Sequence, residues 1–411
     1  MQIKDKIPIL LQINVVANSG STGHIAEEIG KLAIASGWKS YIAYGRWACP
    51  SQSKLIRIGD KFDLLFHFIK SYLFDCHGLG STRATRKLIN DIEEIAPDII
   101  QLHNIHGYYL NYKVLFKYLS SKNTPVVWTL HDCWGLTGHC VHFQDIKCMK
   151  WQNQCVNCPN ITGYPKSLFW DNSARNYFIK KTFFNKINNL TIITVCSWLD
   201  DIVNRSFLKQ NKRQIIVNGI NLDIFSPLED RKKIKEALGI QSQFMILAVA
   251  TVWNKAKGWN DILRMSELIN SDCTIVIVGL TSKQLKLLPK RVVGITHTEN
   301  ILELAKLYSA ADIFVNPTYQ DTLPTVNIEA LASGTPIATY NTGGSADVVD
   351  DKTGFIVRPG DLDALVQAIN VVKEKGKDFY KEACRNRAVK LFNKDDRYKD
   401  YFSLYNRLLQ I

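Results

Sequence analysis

No apolar stretch in this 411-residue chain reaches the roughly 18 to 20 residues that a membrane-spanning helix needs. Low-complexity tracts are missing as well, which argues against a linker-like or repetitive chain. The start, MQIKDKIPILLQINVVANSG, lacks a secretory pattern: Asp5 stands among its lysines, and the apolar run ends at Asn14 without a small-residue cleavage site. A cytoplasmic location is therefore expected. Acids are in short supply, 38 Asp and Glu against 51 Lys and Arg, for a formal charge of +13. That balance calls for an anionic partner: nucleic acid, phospholipid head groups or a phosphorylated small molecule. The basic groups RATRK (83–87), RKKIK (231–235) and KQLKLLPKR (283–291) are short and scattered, and no nucleic-acid motif accompanies them. No nucleic-acid partner is expected.

What is present is a globular α/β pattern. The chain is too long for one ordinary core, so two domains of about 200 residues each are expected. PILLQINVV (8–16), PDIIQLH (97–103) and TPVVWTLHD (124–132) read as buried strands, and HIAEEIGKLAIAS (24–36) reads as a helix with Ile25, Ile29, Leu32 and Ala33 on one face. FMILAVATVW (244–253), CTIVIVG (273–279), ADIFVNPT (311–318) and TPIATYN (335–341) repeat the style in the second half. Strands that alternate with helices and end in polar residues indicate parallel sheets with a site at the strand C-termini.

The stretch YQDTLPTVNIEALASGTPIA (319–338) places Asp321 and Glu329 eight positions apart around Pro324. Pro324 suits a first helical position, and the amides of Thr325 to Asn327 are then unpaired donors at a positive helix end, an anion site. Glu329, about one turn in, leans back toward that end and can accept two hydroxyl hydrogen bonds, as the vicinal diol of a ribose requires. The plainer alternative is that Glu329 compensates the helix dipole and Asp321 caps the helix.

With these residues the chain resembles the retaining family 4 glycosyltransferases. Their acid, seven residues, acid signature matches this stretch, and other motifs follow in the family's order: ANSGSTGHIAEEI, PDIIQLHNIH, TLHD, VCSWLDDIV, IIVNGINLDIFSP, AVATVWNKAKGWNDIL and YNTGGSADVVDDKTGFIV, the last like a loop and hairpin. The resemblance implies the GT-B fold, two facing Rossmann-like domains with a cleft between them. It implies an acceptor-binding domain over 1–205 and a nucleotide-sugar domain over 206–385. The closing stretch, 386–411, reads as a charged amphipathic helix whose apolar stripe, Tyr401, Leu404, Tyr405 and Leu408, is able to pack back on either domain, the N-terminal one included. It also implies a UDP- or GDP-linked sugar donor, a lipid-linked or oligosaccharide acceptor in surface polysaccharide synthesis, and no cofactor for catalysis.

Carried over residue by residue, the resemblance gives Glu329 the ribose. Asp321 lies near the donor sugar and diphosphate, with Leu323, Pro324, Thr325 and Val326 contacting them, and Lys257 neutralises the leaving diphosphate. Gly20 and Gly23 let the first loop approach closely, and His131 bonds the donor sugar. Asp321 stands where Glu is commoner, one methylene shorter. An arginine five or six residues before the lysine is replaced by Thr251 and Val252, which leaves Lys255 as the nearest extra cation. These departures keep two alternatives open, an inactive GT-B protein that binds glycan or nucleotide and a soluble nucleotide-sugar enzyme.

Five of the ten cysteines fall between Cys133 and Cys158, inside an insertion over about 133–165. Cys140, Cys148, Cys155 and Cys158 make a candidate structural zinc site, with buried free thiols or a disulfide as alternatives. KFDLLFHFIKSYLFD (61–75) is apolar almost all round. It reads either as a wholly buried helix or as one that touches an anionic membrane surface or a lipid-linked acceptor, which would place the protein peripherally on the inner face of the cytoplasmic membrane.

Overall fold

A computed structural model describes residues 7–240, 244–290 and 292–410. The chain divides into two units, one of residues 1–216 with 398–411 and one of residues 217–397.

The first unit holds seven strands: β1 (Ile9–Asn14), β2 (Lys39–Tyr44), β3 (Lys54–Arg57), β4 (Ile99–Leu102), β5 (Val126–Leu130), β6 (Leu190–Thr194) and β7 (Lys212–Ile215). They pair in the order β3-β2-β1-β4-β5-β6-β7, every pair parallel. β4, β5 and β6 are buried along their whole length, which is why their sequences run apolar without alternation. The last helix, Lys394–Leu409, leaves the second unit and lays Tyr398, Tyr401, Leu404 and Tyr405 into a cluster with Leu10, Ile29, Trp38, Ile99 and Val127.

Six strands make the sheet of the second unit: β8 (Phe244–Val249), β9 (Cys273–Val278), β10 (Val292–Ile295), β11 (Ile313–Asn316), β12 (Ile337–Tyr340) and β13 (Gly354–Val357). Their order is β10-β9-β8-β11-β12-β13, again all parallel. The segment with a hairpin's resemblance, YNTGGSADVVDDKTGFIV, is instead a helical turn, Ser345–Val348, followed by β13 running parallel to β12.

Both sheets therefore reverse strand order beside their first strand, between β1 and β4 and between β8 and β11. At such a switch point the connections leave to opposite sides of the sheet and open a crevice at the strand C-termini, where ligands of this architecture bind.

Candidate active site

In the second unit the segment after β8 and the segment after β11 are stitched together at that switch point. The Tyr319 amide donates to the Ala256 carbonyl at 2.8 Å, and the Thr318 hydroxyl lies 3.3 Å from the same carbonyl oxygen. Asn254 caps the short turn Lys255–Lys257, and Gly258 follows with φ +75°. A Cβ on Gly258 would stand 2.2 Å from the Pro317 carbonyl oxygen, so only glycine lets the two segments approach this closely. The result is a direct pair: Lys257 Nζ lies 2.6 Å from Asp321 Oδ2 and 3.3 Å from the Gln320 carbonyl. Lys255, two residues earlier, is exposed.

The helix Thr325–Ala332 begins right after Pro324, with no side-chain cap and no acid in its first turn. Of the three amides expected to be unpaired, that of Asn327 donates instead to the Pro324 carbonyl at 3.1 Å, which closes the first turn; those of Thr325 and Val326 stay at the positive end of the dipole, next to the Lys257–Asp321 pair. Leu323 and Pro324 are buried and Thr325 and Val326 half-buried, so this turn offers backbone rather than side chains. Burial pushes the Glu329 carboxyl up to about 7, with the hydroxyls of Tyr308 and Thr325 drawing it back down. The acid turn is held from behind by the loop after β12, where the Gly344 amide donates to the Thr322 carbonyl and the Thr342 hydroxyl to the Thr318 carbonyl. Sequence reasoning missed a further brace. Tyr319 and Tyr340 both donate to Asp261 Oδ2, at 2.6 and 2.9 Å, which ties the acid turn to the helix Trp259–Leu268.

In the first unit, Gly20 opens the helix Gly20–Ala35 with φ +59°, and that helix too has neither a side-chain cap nor an acid in its first turn. Gly23 is buried against its own loop, where a Cβ would meet Val16 Cγ2 at 3.1 Å and the Asn18 nitrogen at 3.2 Å. Its smallness serves loop-to-helix packing. His131 follows β5 directly, and its Nε2 lies 3.2 Å from Nδ1 of His103, which follows β4. Burial lowers His131 to about 4, with Asp132 pulling it back up, so the ring is neutral at pH 7. Burial acts to raise the neighbouring Asp132, but its pair with His106, at 2.7 Å, and the Trp134 amide outweigh this and hold the carboxyl at about 2. A fixed anion and a neutral imidazole thus stand side by side at the strand ends.

Residues 243–374, the greater part of the second unit, match the family model described as Glycosyl transferases group 1. The chain carries a group 1 glycosyltransferase domain. The glycosyltransferase class read from the sequence is the class of this family. Over 375 residues the chain is 23% identical to a putative colanic acid biosynthesis glycosyl transferase, WcaC, of Escherichia coli K12, covering 87% of this chain and 89% of that one. It is 26% identical over 220 residues to the Escherichia coli UDP-Gal:alpha-D-GlcNAc-diphosphoundecaprenol alpha-1,3-galactosyltransferase, 49% of this chain and 56% of that one. Among solved structures, sucrose-phosphate synthase of Thermosynechococcus elongatus superposes with a TM-score of 0.72 at 18% identity, covering 98% of this chain and 99% of its own. Anabaena HepE, solved with UDP, gives 0.69 at 14% identity over 98% and 100%. These likenesses establish the GT-B fold for this glycosyltransferase.

The four cysteines of the insertion line one small cavity with His139 and Trp151. Among the described residues no group of three or more His, Cys, Asp or Glu side chains is arranged to hold a metal ion, so the expected zinc site has no assembled ligand set. Instead the Cys140 thiol faces Cys158 and their hydrogen bond draws the Cys158 thiol down while Cys140 is held high; Cys155 accepts the Gly138 amide at 3.2 Å. The helix Lys61–Phe74 differs from the buried reading as well. Only His67 and Ser71 are buried, while Phe62 and Phe66 are 70% and 68% exposed. His67 accounts for the helix's attachment: its Nε2 accepts the amides of Gly78 and Gly80. The apolar residues around it form an open face on the glycosyltransferase.

Proposed function

We propose that this glycosyltransferase moves a sugar from a UDP- or GDP-linked donor, with retention of configuration, to a lipid-linked or oligosaccharide acceptor in the assembly of a bacterial surface polysaccharide. The observation that carries the reading is the Lys257–Asp321 pair at the mouth of the uncapped helix Thr325–Ala332. A cation and unpaired amides on one turn supply the positive charge that a departing nucleoside diphosphate demands. Lys257 exchanges Asp321 for a phosphate oxygen when the donor binds, and Asp321 turns to the sugar. Glu329 takes the ribose diol, which favours its ionised form. Leaving and attacking oxygens share one face of an oxocarbenium-like sugar, and the charge comes from Lys257 and the helix, so the reading calls for no metal in catalysis.

The acceptor side of the reading rests on the first unit. A pocket of about 590 Å³ lies between the helix Lys61–Phe74, the Gly107–Tyr108 turn and the 162–166 loop. Leu65, Phe68, Tyr108 and Tyr164 give it apolar walls, and Arg46 and Lys166 are its cations. That chemistry suits an apolar chain joined to a phosphate, and the name of one relative specifies a diphosphoundecaprenol-linked acceptor. The exposed aromatics of the same helix favour a peripheral place on an anionic membrane surface. No helix among the described residues is long and apolar enough to cross a membrane.

Incubation with a panel of nucleotide sugars, with release of the nucleotide as readout, tests the reading. Turnover of one donor supports it; a protein that neither cleaves a donor nor is stabilised by one against heat is not this enzyme.

A further inference from the structure

The mid-strand residue Gln12 of β1 is fully buried, and its side chain has a single allowed orientation. One end of its amide lies 2.7 Å from the Ala26 carbonyl oxygen. A carbonyl oxygen only accepts, so the group facing it is the NH₂, and the amide oxygen of Gln12 faces the other way. There it stands 3.1 Å from Nε2 of His103. An amide oxygen also only accepts, so His103 Nε2 carries the proton. His103 is itself buried, and burial pushes its pKa well down, so the ring is neutral and its Nδ1 bears a lone pair. His131 Nε2, 3.2 Å from that Nδ1, must then donate, and the two rings stack at 20°. The remaining nitrogen of neutral His131, Nδ1, is left as an acceptor. It makes no hydrogen bond among the described residues, nor is it one of the enclosed atoms without a partner.

We propose that Gln12 is a positioning residue which, through His103, fixes the tautomer of His131 so that His131 Nδ1 receives a hydrogen bond from a sugar hydroxyl. The inference rests on the proposed function for the identity of the ligand, but the relay itself is a property of the unliganded chain. It has a chemical consequence for specificity. A group set against Nδ1 has to bring a hydrogen, so a hydroxyl is accepted there, whereas a deoxy position leaves the lone pair unpaired and a carboxylate meets it with another lone pair.

The test is nitrogen NMR of the full-length protein with labelled histidine, with the His131 signals assigned from their absence in His131→Asn. In the wild-type protein at pH 7, His131 is expected to be protonated on Nε2 and bare on Nδ1. In Gln12→Leu, where the amide acceptor is gone, the His103 and His131 signals shift to a mixture of tautomers; in Gln12→Glu, kept protonated by burial so that its hydroxyl donates to the Ala26 carbonyl and its other oxygen accepts from His103, His131 keeps its wild-type form. A wild-type His131 protonated on Nδ1, or a Gln12→Leu spectrum identical to wild type, overturns the proposal. The wild-type spectrum decides the first point even if Gln12→Leu fails to fold. A kinetic arm follows with whichever UDP- or GDP-sugar is turned over: kcat falls about tenfold in Gln12→Leu and recovers in Gln12→Glu. An unchanged kcat in Gln12→Leu counts against the role in catalysis. If no nucleotide sugar is turned over at all, the proposed function fails while the tautomer result stands by itself.

Discussion

Lys257 and Asp321, 64 residues apart in the chain, share a hydrogen bond of 2.6 Å at the C-terminal ends of β8 and β11. In the unliganded protein the carboxylate occupies the cation that the donor diphosphate is proposed to take. Asp321→Asn removes that competition and should bind UDP or GDP several-fold more tightly while transferring sugar at least tenfold more slowly. Lys257→Met should lose about 10²-fold in kcat, the size of effect seen when one electrostatic donor to developing charge is deleted. Calorimetric titration and steady-state rates check both. Tighter binding together with wild-type turnover in Asp321→Asn would deny Asp321 a part in the reaction.

Glu329 carries a pH signature. Its folded-state pKa is raised to about 7 by burial, above the ordinary value of 4.5. The folded protein therefore holds a proton that the unfolded chain has lost, and stability declines as the pH rises from about 4.5 through 7. Glu329→Gln abolishes that decline and should be more stable than wild type by on the order of 1 to 3 kcal/mol at pH 8, with little difference at pH 4. The same variant should bind nucleotide sugar more weakly. Denaturant titrations at the two pH values measure the first effect, and equal stability at pH 8 would place the carboxyl in water rather than in the protein.

The last helix is a structural element of the first unit. Tyr405 donates to Gln101 Oε1 at 2.9 Å and Tyr401 lies 3.1 Å from Thr129 Oγ1, both contacts inside the core beside β4 and β5. Tyr405→Ala should cost about 3 to 5 kcal/mol, most of it lost packing, whereas Tyr405→Phe should cost about 1 kcal/mol for the hydrogen bond. Urea unfolding followed by tryptophan fluorescence separates the two, and similar small losses in both would mean the helix is only loosely attached.

On the helix Lys61–Phe74 the prediction concerns binding rather than stability. Phe62→Ser with Phe66→Ser removes exposed rings only, so unfolding should change by about 0.5 kcal/mol or less. Sedimentation with vesicles containing anionic lipid should fall several-fold, and that of the wild type should weaken with salt. Equal sedimentation of variant and parent would remove this face from the membrane account.

Much of the architecture was legible because buried parallel strands write themselves as short apolar runs. ILLQIN, VVWTL and FMILAV could hardly be anything else, and the acid stretch marked its own helix through Pro324 and Gly334. Six strands escaped notice, Lys39–Tyr44, Lys54–Arg57, Leu190–Thr194, Lys212–Ile215, Val292–Ile295 and Gly354–Val357. Two of them, Lys54–Arg57 and Lys212–Ile215, are edge strands exposed at both ends. With one side of their ladder open, little in their sequence requires burial. The helix Lys61–Phe74 misled in the opposite way, since apolarity on every face implied a buried helix where the fold leaves an open surface. At the site, Asp321 and Glu329 were visible as a local pattern. The Lys257–Asp321 contact, the clasp of Tyr319 and Tyr340 on Asp261, and the line from Gln12 to His131 join residues 28 to 91 positions apart, and no spacing rule reports them.

The central claim is sugar transfer from a nucleotide donor by this site, and its most direct measurement is nucleotide release from a panel of UDP- and GDP-sugars in the presence of a polyprenyl-diphosphate-linked acceptor. The account predicts that one donor is consumed, that the product keeps the donor's anomeric configuration, and that Lys257→Met abolishes most of the release. Failure of every donor both to react and to raise the melting temperature, or full activity in Lys257→Met, would contradict it.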